Sequence, residues 1–271
     1  MAVRSRRTVV LKLGGELLET ASDVERAAAG IAVLASRIRL VVVHGGGREI
    51  DAALSAAGIP KVQVDGIRVT DPATLGVVVS VLAGAINTRL VAAVRAAGAQ
   101  PVGLTGADAG VVSVRRAAPL ATAAGTRVSV GLVGSPIDNG APRLVTDLLA
   151  KGYVPVVACI GASSGGQLLN VNADTLAAHL AGELRAARLV IAGGTPGVLD
   201  DAGRTIAHLT ARQAGRLIKA GTASAGMVAK LRACRAAVRA GVGDVVIVNG
   251  REVNLGMADA VPAASGTRVV A

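Results

Sequence analysis

Two glycine-rich turns hold the residues whose types and spacing could bind a phosphate. KLGG at 12–15 places a lysine beside paired glycines at the end of a Val-rich run, and HGGG at 44–47 follows the next such run. Glycine has no Cβ, so a phosphate can approach the backbone N–H groups and the positive end of a following helix. A tight strand-to-helix turn explains either motif alone equally well, and neither has the Walker A or G-x-G-x-x-G spacing. Two such turns after consecutive strands favour a phosphate site.

A third polar turn, NVNAD at 170–174, directly precedes a helix. Asn170, Asn172 and Asp174 would point the same way if the backbone were extended, whereas an Asx helix cap would explain only one of them. Near the end of the chain, Lys230 lies one turn inside a helix that begins around Gly226. Alone, such a lysine is more typical of a solvated surface charge.

Val-rich runs alternate with Ala-rich segments along the chain, which predicts a mainly parallel α/β sheet. Ligands of such sheets gather at the carboxyl ends of the strands, where the three turns fall. A capping-box pattern at 22–25 predicts a helix to about 38, and Asp71-Pro72 predicts another to about 97. The predicted strands are 8–13, 39–43, 101–104, 111–115, 128–133, 154–159, 188–192 and 244–248. Another predicted helix begins near 48, and further helices are predicted at 142–151, 173–186, 210–220 and 226–240.

The pattern predicts one continuous domain with two lobes, 1–165 and 166–271, because no Pro/Ser tract or low-complexity linker interrupts it. Hairpin-like strands at about 60–70 and 111–133 indicate a lid or rim over one end of the sheet.

Composition excludes several classes of protein. Apolar residues make up 52% of the chain, yet it has no Phe or Trp and a single Tyr, so Ala, Val, Leu and Ile must build the core. The formal charge is +11, but the arginines are scattered and there are no aromatic residues for base stacking, which argues against nucleic acid as a partner. Cys159 and Cys234 lack metal-ligand spacing and indicate a reduced, cytoplasmic protein. We expect neither a secretory signal nor a membrane span.

The order of the motifs resembles the amino-acid kinase family. The matching segments are KLGG, VVVHGGGREID, DGIRVTD, GLTGADAG, NVNADTLAA, TPGVLDD and AGMVAKL, in register from about residue 8 to 250. The resemblance implies a three-layer αβα sandwich around a mainly parallel sheet, with a β-hairpin lid in the N-terminal lobe. It also implies ATP-dependent phosphorylation of the side-chain carboxylate of N-acetyl-L-glutamate, a step of arginine biosynthesis.

The resemblance also implies roles for individual residues. Lys12 and Lys230 would flank the transferring phosphoryl group, and Asp174 would hold both lysines. The acyl amino acid would bind in the N-terminal lobe, with its α-carboxylate on Arg68, which can bind bidentately, and on Asn170. The remaining residues expected to bind this substrate are Gly45, Gly46, Gly47 and Asn172. Those expected to bind ATP or its phosphates are Gly14, Gly15, Gly193, Thr195, Gly197, Gly226 and Met227.

The carboxylate nucleophile needs no general base, since its unperturbed pKa is about 4.3. Mg²⁺ would be held mainly through the ATP phosphates, because no dedicated carboxylate cluster is visible in the sequence.

The sequence departs from the family pattern at Gly193-Gly194, where Thr-Asp is expected, and at Ala107, often a lysine. Segment 251–271 lacks the His and Glu pattern of arginine-inhibited members, and about seven residues precede the first strand. We therefore expect an arginine-insensitive homodimer.

Two other functions stay open at this point. One is a kinase acting on an N-blocked or carrier-protein-bound aminoadipate in lysine biosynthesis, which a basic surface facing an acidic carrier would suit. The other is a non-catalytic sensor of amino acid or nucleotide, suggested by the altered Gly193-Gly194 stretch.

Overall fold

The computed structural model describes residues 7–64, 66–121, 127–221, 225–260 and 265–271. Asp65 of the DGIRVTD motif and residues 122–126 of the predicted 111–133 strand region lie outside these ranges.

The strands of the described residues follow one another along the chain as β1 (Thr8–Leu13), β2 (Arg39–His44), β3 (Gln63–Val64), β4 (Ile67–Arg68), β5 (Pro101–Thr105), β6 (Val114–Arg116), β7 (Leu120–Ala121), β8 (Arg127–Val128), β9 (Val133–Pro136), β10 (Val154–Ala158), β11 (Ile160–Ala162), β12 (Leu168–Val171), β13 (Arg188–Gly193), β14 (His208–Thr210), β15 (Val245–Asn249) and β16 (Gly266–Val270). The α-helices are α1 (Ala21–Ala35), α2 (Gly47–Ala56), α3 (Pro72–Val79), α4 (Asn87–Ala96), α5 (Arg143–Ala150), α6 (Ala173–Glu183), α7 (Ala211–Ala220) and α8 (Ala225–Arg239).

The main sheet has the strand order β14-β16-β15-β13-β1-β2-β10-β5. Its neighbours are parallel except for the β15–β16 pair. Helices α1 and α4 pack on each other, and α6 packs on α8, which also contacts α7. The prediction of a mainly parallel sheet flanked by helices is confirmed.

The sheet is continuous across the predicted lobes, because β1 of the first lobe pairs with β13 of the second. Strand β1 also pairs with β2 on its other side, so strand order diverges in both directions from β1. Such a divergence point is where open α/β sheets place their ligands. The division at 165/166 stays a prediction.

A second, four-stranded sheet has the order β11-β12-β9-β6. The predicted strands 111–115 and 128–133 are displaced here to β6 and β9. Gly131 interrupts the second run: its φ is +73°, and a Cβ on it would lie 2.3 Å from the Thr70 carbonyl oxygen. Two small hairpins, β3–β4 and β7–β8, match the predicted hairpin regions. Strands β11, β12, β14 and β16 were not predicted from the sequence.

The start of α1 differs from the predicted capping box at 22–25. Thr20 is the N-cap: its Oγ1 accepts from the Asp23 backbone N–H at 3.1 Å and donates to the Asp23 carboxylate at 2.8 Å. The helix therefore begins at Ala21, because Thr20 and Asp23 satisfy the free N–H groups ahead of the predicted cap. The Asp71 cap with Pro72 at the first helical position is confirmed.

Helix α3 continues through a π-helical stretch, Ser80–Ile86, into α4, which makes one helical segment from Pro72 to Ala96. By length and composition alone this segment could cross a membrane, and 39% of its most apolar window is buried in the structure. The buried face, which includes Val78, Leu82, Ile86 and Leu90, belongs to the core of the N-terminal lobe.

Candidate active site

The three glycine or polar turns meet at the carboxyl edge of the main sheet. Leu13 at the end of β1 lies opposite Ala192 of β13 and His44 of β2. Beyond the strands, the Gly14 N–H donates to the Ala192 carbonyl at 2.8 Å, and the Gly45 N–H donates to the Leu13 carbonyl at 3.0 Å. The turn after each strand is thereby tied to the neighbouring strand.

Gly15 allows the first two turns to touch. A Cβ on Gly15 would lie 2.7 Å from the Gly46 Cα and 3.0 Å from the Gly47 N. Gly46 is the N-cap of α2, so the positive end of that helix lies directly beside the turn of β1. The Gly14 and Gly45 N–H groups are already bonded to neighbouring strands, so backbone donors for an anion must come from the rest of these two turns. Phosphate contacts of Gly14, Gly15 and the 45–47 glycines stay predictions.

His44 fixes the second turn and takes no part in acid–base chemistry. Asn87 Nδ2 donates to His44 Nε2 at 3.0 Å, so the ring proton lies on Nδ1, which donates to the Gly45 carbonyl at 3.2 Å. Burial lowers the pKa of His44 to about 4, and the ring is neutral at physiological pH.

A buried aspartate joins two lysines at the same edge. Lys12 Nζ lies 2.8 Å from Asp174 Oδ1, and Lys230 Nζ lies 3.5 Å from Oδ2. The side chains of Lys12 and Asp174 are each 6% exposed and that of Lys230 is 14% exposed. Lys230 carried only a weak signal in the sequence; the fold places it beside Lys12 because the first turns of α6 and α8 converge on β1.

The electrostatics keep Asp174 and Lys12 ionised. Burial disfavours the charged form of Asp174, but Lys12 and Lys230 outweigh it and hold the Asp174 pKa below its usual value. Burial also disfavours the charged form of Lys12, but Asp174 outweighs it and raises the Lys12 pKa above its usual value. Lys12 is therefore a fixed cation, and with Lys230 on the other oxygen of Asp174 it is suited to stabilising a phosphoryl group as it transfers.

The NVNAD turn is not extended throughout, so its three polar side chains have different partners. Asn172 caps α6, accepting from the Thr175 N–H at 3.0 Å, and Asp174 is already in the first helical turn. Asn170 lies on β12 and donates to Thr70 Oγ1 at 3.2 Å. The extended backbone under which all three would point the same way is not present, because the helix begins at Ala173. Substrate contacts of Asn170 and Asn172 stay predictions.

Arg68 is buried and already holds an internal carboxylate. Its Nη2 pairs with Asp51 and also lies 3.4 Å from the Gly47 carbonyl, beside the start of α2. Asp51 is bound by Lys61 as well, at 2.7 Å. Arg68 Nη1 is buried without a hydrogen-bond partner among the described residues. The N–H groups of Nη1 are thus available to an anion. The prediction that Arg68 binds the substrate carboxylate stays a prediction.

Two clefts share Thr195 and Met227 as lining residues. The first, of about 440 Å³, is lined by Gly47, Gly194 and Lys230, together with Glu16, Arg48, Asp51, Thr195, Gly226 and Met227. The second, of about 580 Å³, is largely aliphatic, with Pro196, Val198, Leu199, Ile206, Leu217 and Met227 in its wall. We call them the polar cleft and the apolar cleft. Their junction suits a molecule with an apolar end and a charged end.

Four of the seven predicted nucleotide residues line these clefts, whereas Gly14, Gly15 and Gly193 line neither. Thr195, Gly226 and Met227 line the polar cleft. Gly193 is buried at the end of β13 and is bordered by Lys230. Gly197 lines the apolar cleft but is packed against β16, since a Cβ on it would lie 2.5 Å from Thr267 Oγ1.

Glu16 is a residue of the polar cleft that was not predicted from the sequence. Its Oε1 accepts from the Gly194 N–H at 2.9 Å. Burial disfavours its charged form, but its own backbone N–H, Lys12, the Gly194 N–H and Lys230 outweigh burial and lower the Glu16 pKa. The one available signal was a carboxylate directly after paired glycines at a strand end.

Two sets of titratable residues, the cysteines and an Asp–His–Glu cluster, line neither cleft. Cys159 and Cys234 are buried thiols, as expected, and burial raises the Cys159 pKa to about 12. Asp138, His179 and Glu183 bring possible ligand atoms within 4.8 Å of one another, but they line neither of the two clefts and Asp138 is exposed.

Comparison with known proteins gives a consistent result. The sequence model described as "Amino acid kinase family" matches residues 7–249. The chain is 40% identical over 248 residues to a protein named acetylglutamate kinase from Gluconacetobacter diazotrophicus, covering 90% of this chain and 79% of that one. It is 41% identical over 248 residues to an acetylglutamate kinase from Anaeromyxobacter, covering 89% and 91%.

Among solved structures, N-acetylglutamate synthase from Neisseria gonorrhoeae, complexed with coenzyme A and N-acetyl-glutamate, gives a TM-score of 0.81 at 26% identity. The match covers 98% of this chain and 60% of that one, so this chain spans about three fifths of the synthase.

We expect Asp174→Asn to lower the turnover rate by about 10²–10³-fold, as for loss of a preorganised charge. Burial then acts on Lys12 without its counter-charge, so the pKa of Lys12 falls and activity is lost at a lower alkaline pH than in the wild type. A pH profile of kcat for both proteins checks this. An unchanged alkaline limit in the variant would contradict the assignment.

We expect the neutral His44 ring to make stability depend on pH. The unfolded chain protonates this histidine below pH 6.5, whereas the folded protein does so only near 4. Its contribution is therefore present above pH 6.5 and is lost as pH falls towards 4, by about 2 kcal/mol between pH 7 and 5. Urea unfolding of wild type and His44→Gln checks this, and parallel pH dependences in the two proteins would refute it.

Proposed function

This chain belongs to the amino acid kinase family, and we propose that it transfers the γ-phosphoryl group of ATP to the side-chain carboxylate of N-acetyl-L-glutamate. The product is N-acetyl-L-glutamyl 5-phosphate, an intermediate of arginine biosynthesis. The observation that carries the proposal is the pair of lysines held on buried Asp174 where the glycine turns meet. The relatives named acetylglutamate kinase support the choice of acceptor.

The chemistry needs no base from the protein. The acceptor carboxylate is ionised at neutral pH and attacks phosphorus directly, while the bond to the ADP oxygen breaks. The chain must instead align two anions and stabilise the phosphoryl oxygens. Lys12 and Lys230 supply fixed positive charge, and Asp174 keeps the two ammonium groups from separating. The backbone N–H groups of the two glycine turns that the strands do not use supply further donors.

The two clefts fit ATP. The apolar cleft offers aliphatic walls to a nucleoside, and the adjoining polar cleft offers Lys230, the Gly194 turn and the first turn of α8 to the phosphates. Mg²⁺ also fits, because the polar cleft contains carboxylate oxygens outside the triad, whereas both Asp174 oxygens face lysines. When bound, Mg²⁺ neutralises phosphate charge.

The acyl amino acid is assigned to the side of α2. Arg68 Nη1 is buried without a hydrogen-bond partner in the described part of the chain, so a substrate carboxylate would satisfy it. Asp51 occupies Nη2, so we propose that this contact is made through one edge of the guanidinium. Asn170, next to Thr70, and the 45–47 backbone complete the proposed pocket.

The other functions are less well supported. A sensor needs no paired cations around a transferring phosphate, yet Lys12, Asp174 and Lys230 are all present and joined. An aminoadipate substrate differs by one methylene, worth only about 1–3 kcal/mol in a pocket. Direct comparison of acceptors distinguishes these cases.

We also propose a cytoplasmic homodimer formed through the N-terminal lobe. Free buried cysteines suit a reducing compartment. The helical segment Pro72–Ala96 supports the dimer: its outward face, with Gly76, Ser80 and Gly84 exposed, carries no charged residue from Pro72 to Thr88. Insensitivity to arginine stays a prediction.

An ATP-to-ADP coupled assay with hydroxylamine trapping of acyl phosphate tests the function. N-acetylglutamate, N-acetylaminoadipate, aspartate and glutamate are compared as acceptors. We expect turnover with N-acetylglutamate, reduced by about 10²-fold or more in Lys12→Ala. Lys219→Ala, a change on α7 outside both clefts, serves as the control and should retain activity. Bound ATP with no turnover of any acceptor would contradict the proposal.

Light scattering coupled to gel filtration tests the assembly. We expect the wild type to elute as a dimer and Gly84→Arg as a monomer, because the substitution puts a charge on the apolar outward face. No atom lies within 4 Å of a Cβ built at Gly84, so the fold should tolerate the change. Ala97→Arg is the matched control, because Ala97 is exposed and lies just beyond the helical segment. This variant should remain a dimer. A hexamer, or inhibition by arginine, would overturn the prediction.

A further inference from the structure

Glu16 lies where the proposed function places phosphate groups, and the role inferred for it rests on that function. Its Oε1 accepts from the Gly194 N–H at 2.9 Å. A Cβ on Gly193 would lie 3.0 Å from Oε1 and 3.4 Å from Lys230 Cε, and a Cβ on Gly14 would lie 2.4 Å from Oε2. The carboxylate is therefore lodged between the turns after β1 and β13, beside Lys230.

Glu16 is a second carboxylate beside the triad, and neither lysine depends on it for an ion pair. Asp174 already bridges Lys12 and Lys230, so these three groups sum to one positive charge, and Glu16 brings the local sum to zero. Arg251 donates to the backbone carbonyl of Glu16, at 2.7 Å, and among the described residues it makes no contact with the Glu16 carboxylate. Glu16 thus presents an ionised carboxylate to the polar cleft that it also lines.

An ionised carboxylate repels a metal-free triphosphate that enters the polar cleft. A divalent cation between the two reverses the sign of this interaction. Mg²⁺ in nucleotide sites is typically held by one or two carboxylates together with phosphate oxygens and waters. Glu16 supplies one such oxygen ligand, at the boundary between the two lobes.

We propose that Glu16 binds the divalent cation that accompanies ATP, and that the polar cleft thereby selects the metal–nucleotide complex over metal-free nucleotide. Glu16 acts on the cation and not on the acceptor, so its loss changes nucleotide and metal affinity more than affinity for the acyl amino acid.

Calorimetric titration of the full-length protein with the β,γ-imido analogue of ATP, in excess Mg²⁺ or in EDTA, tests this proposal. The variant Glu16→Gln keeps the side-chain shape and an oxygen acceptor for the Gly194 N–H but removes the charge. We expect the ratio of the two affinities to fall by about 10-fold or more in the variant, because two opposed electrostatic effects disappear together. The metal-free analogue should bind more tightly and the Mg²⁺ complex more weakly.

Two further variants separate the metal contact from effects on folding. Glu16→Asp keeps the charge and should keep most of the metal preference, whereas Glu25→Gln, an exposed change on α1, should leave it unaltered. Mn²⁺ electron paramagnetic resonance gives a second readout without turnover. Bound Mn²⁺–analogue should show a changed line shape in Glu16→Gln but not in Glu25→Gln.

The outcomes distinguish the role of Glu16 from the function on which it rests. If the wild type binds the analogue and Glu16→Gln shows the same metal preference as the wild type, the role of Glu16 is overturned but the kinase function is not. Failure of the wild type to bind the analogue under either condition overturns the kinase function as well. A reduced preference in Glu16→Gln that Glu16→Asp restores supports the assignment.

Discussion

The site depends on one buried carboxylate shared by two ammonium groups. Asp174 is 4% exposed, and a buried charge is stable only when paired, so β1, α6 and α8 must bring Lys12 and Lys230 to it together. This requirement couples distant parts of the chain: Lys12 lies on β1, Asp174 on α6 and Lys230 on α8. Removing Asp174 leaves the buried ammonium group of Lys12 without its counter-charge, so folding and catalysis share the same constraint.

The glycine turns and the aliphatic core also allow the loops around this triad to pack closely. Without Phe or Trp, the sheet and helices approach closely, and the turns after β1 and β2 come within contact distance through Gly15 and Gly46. A neutral His44, held by Asn87, fixes the second turn without adding charge. The anion therefore meets preorganised backbone donors, and the two lysines add positive charge.

Strong local periodicity and motif order made much of the fold predictable from the sequence. Strand β1, the Asp71 cap, the parallel sheet and the family membership were all recognisable. Features set by contacts between distant segments were not: Asp51 pairs with Arg68, Glu16 binds the turn at Gly194, and β16 completes the sheet antiparallel to β15. Neighbouring polar residues compete to cap a helix, and the sequence does not show which one wins. Thr20 caps α1 ahead of Ser22, and Asn172 caps α6.

The central claim is that a carboxylate oxygen of the acceptor becomes bonded to the phosphorus of ATP at the Lys12–Asp174–Lys230 triad. The most direct measurement is ³¹P NMR of the reaction with N-acetylglutamate labelled with ¹⁸O in its side-chain carboxylate. We expect an acyl phosphate signal with the isotope shift of a bridging ¹⁸O, and this signal should grow about 10²–10³-fold more slowly with Asp174→Asn. An acyl phosphate without that shift, or ADP formed with no acyl phosphate, would contradict the claim.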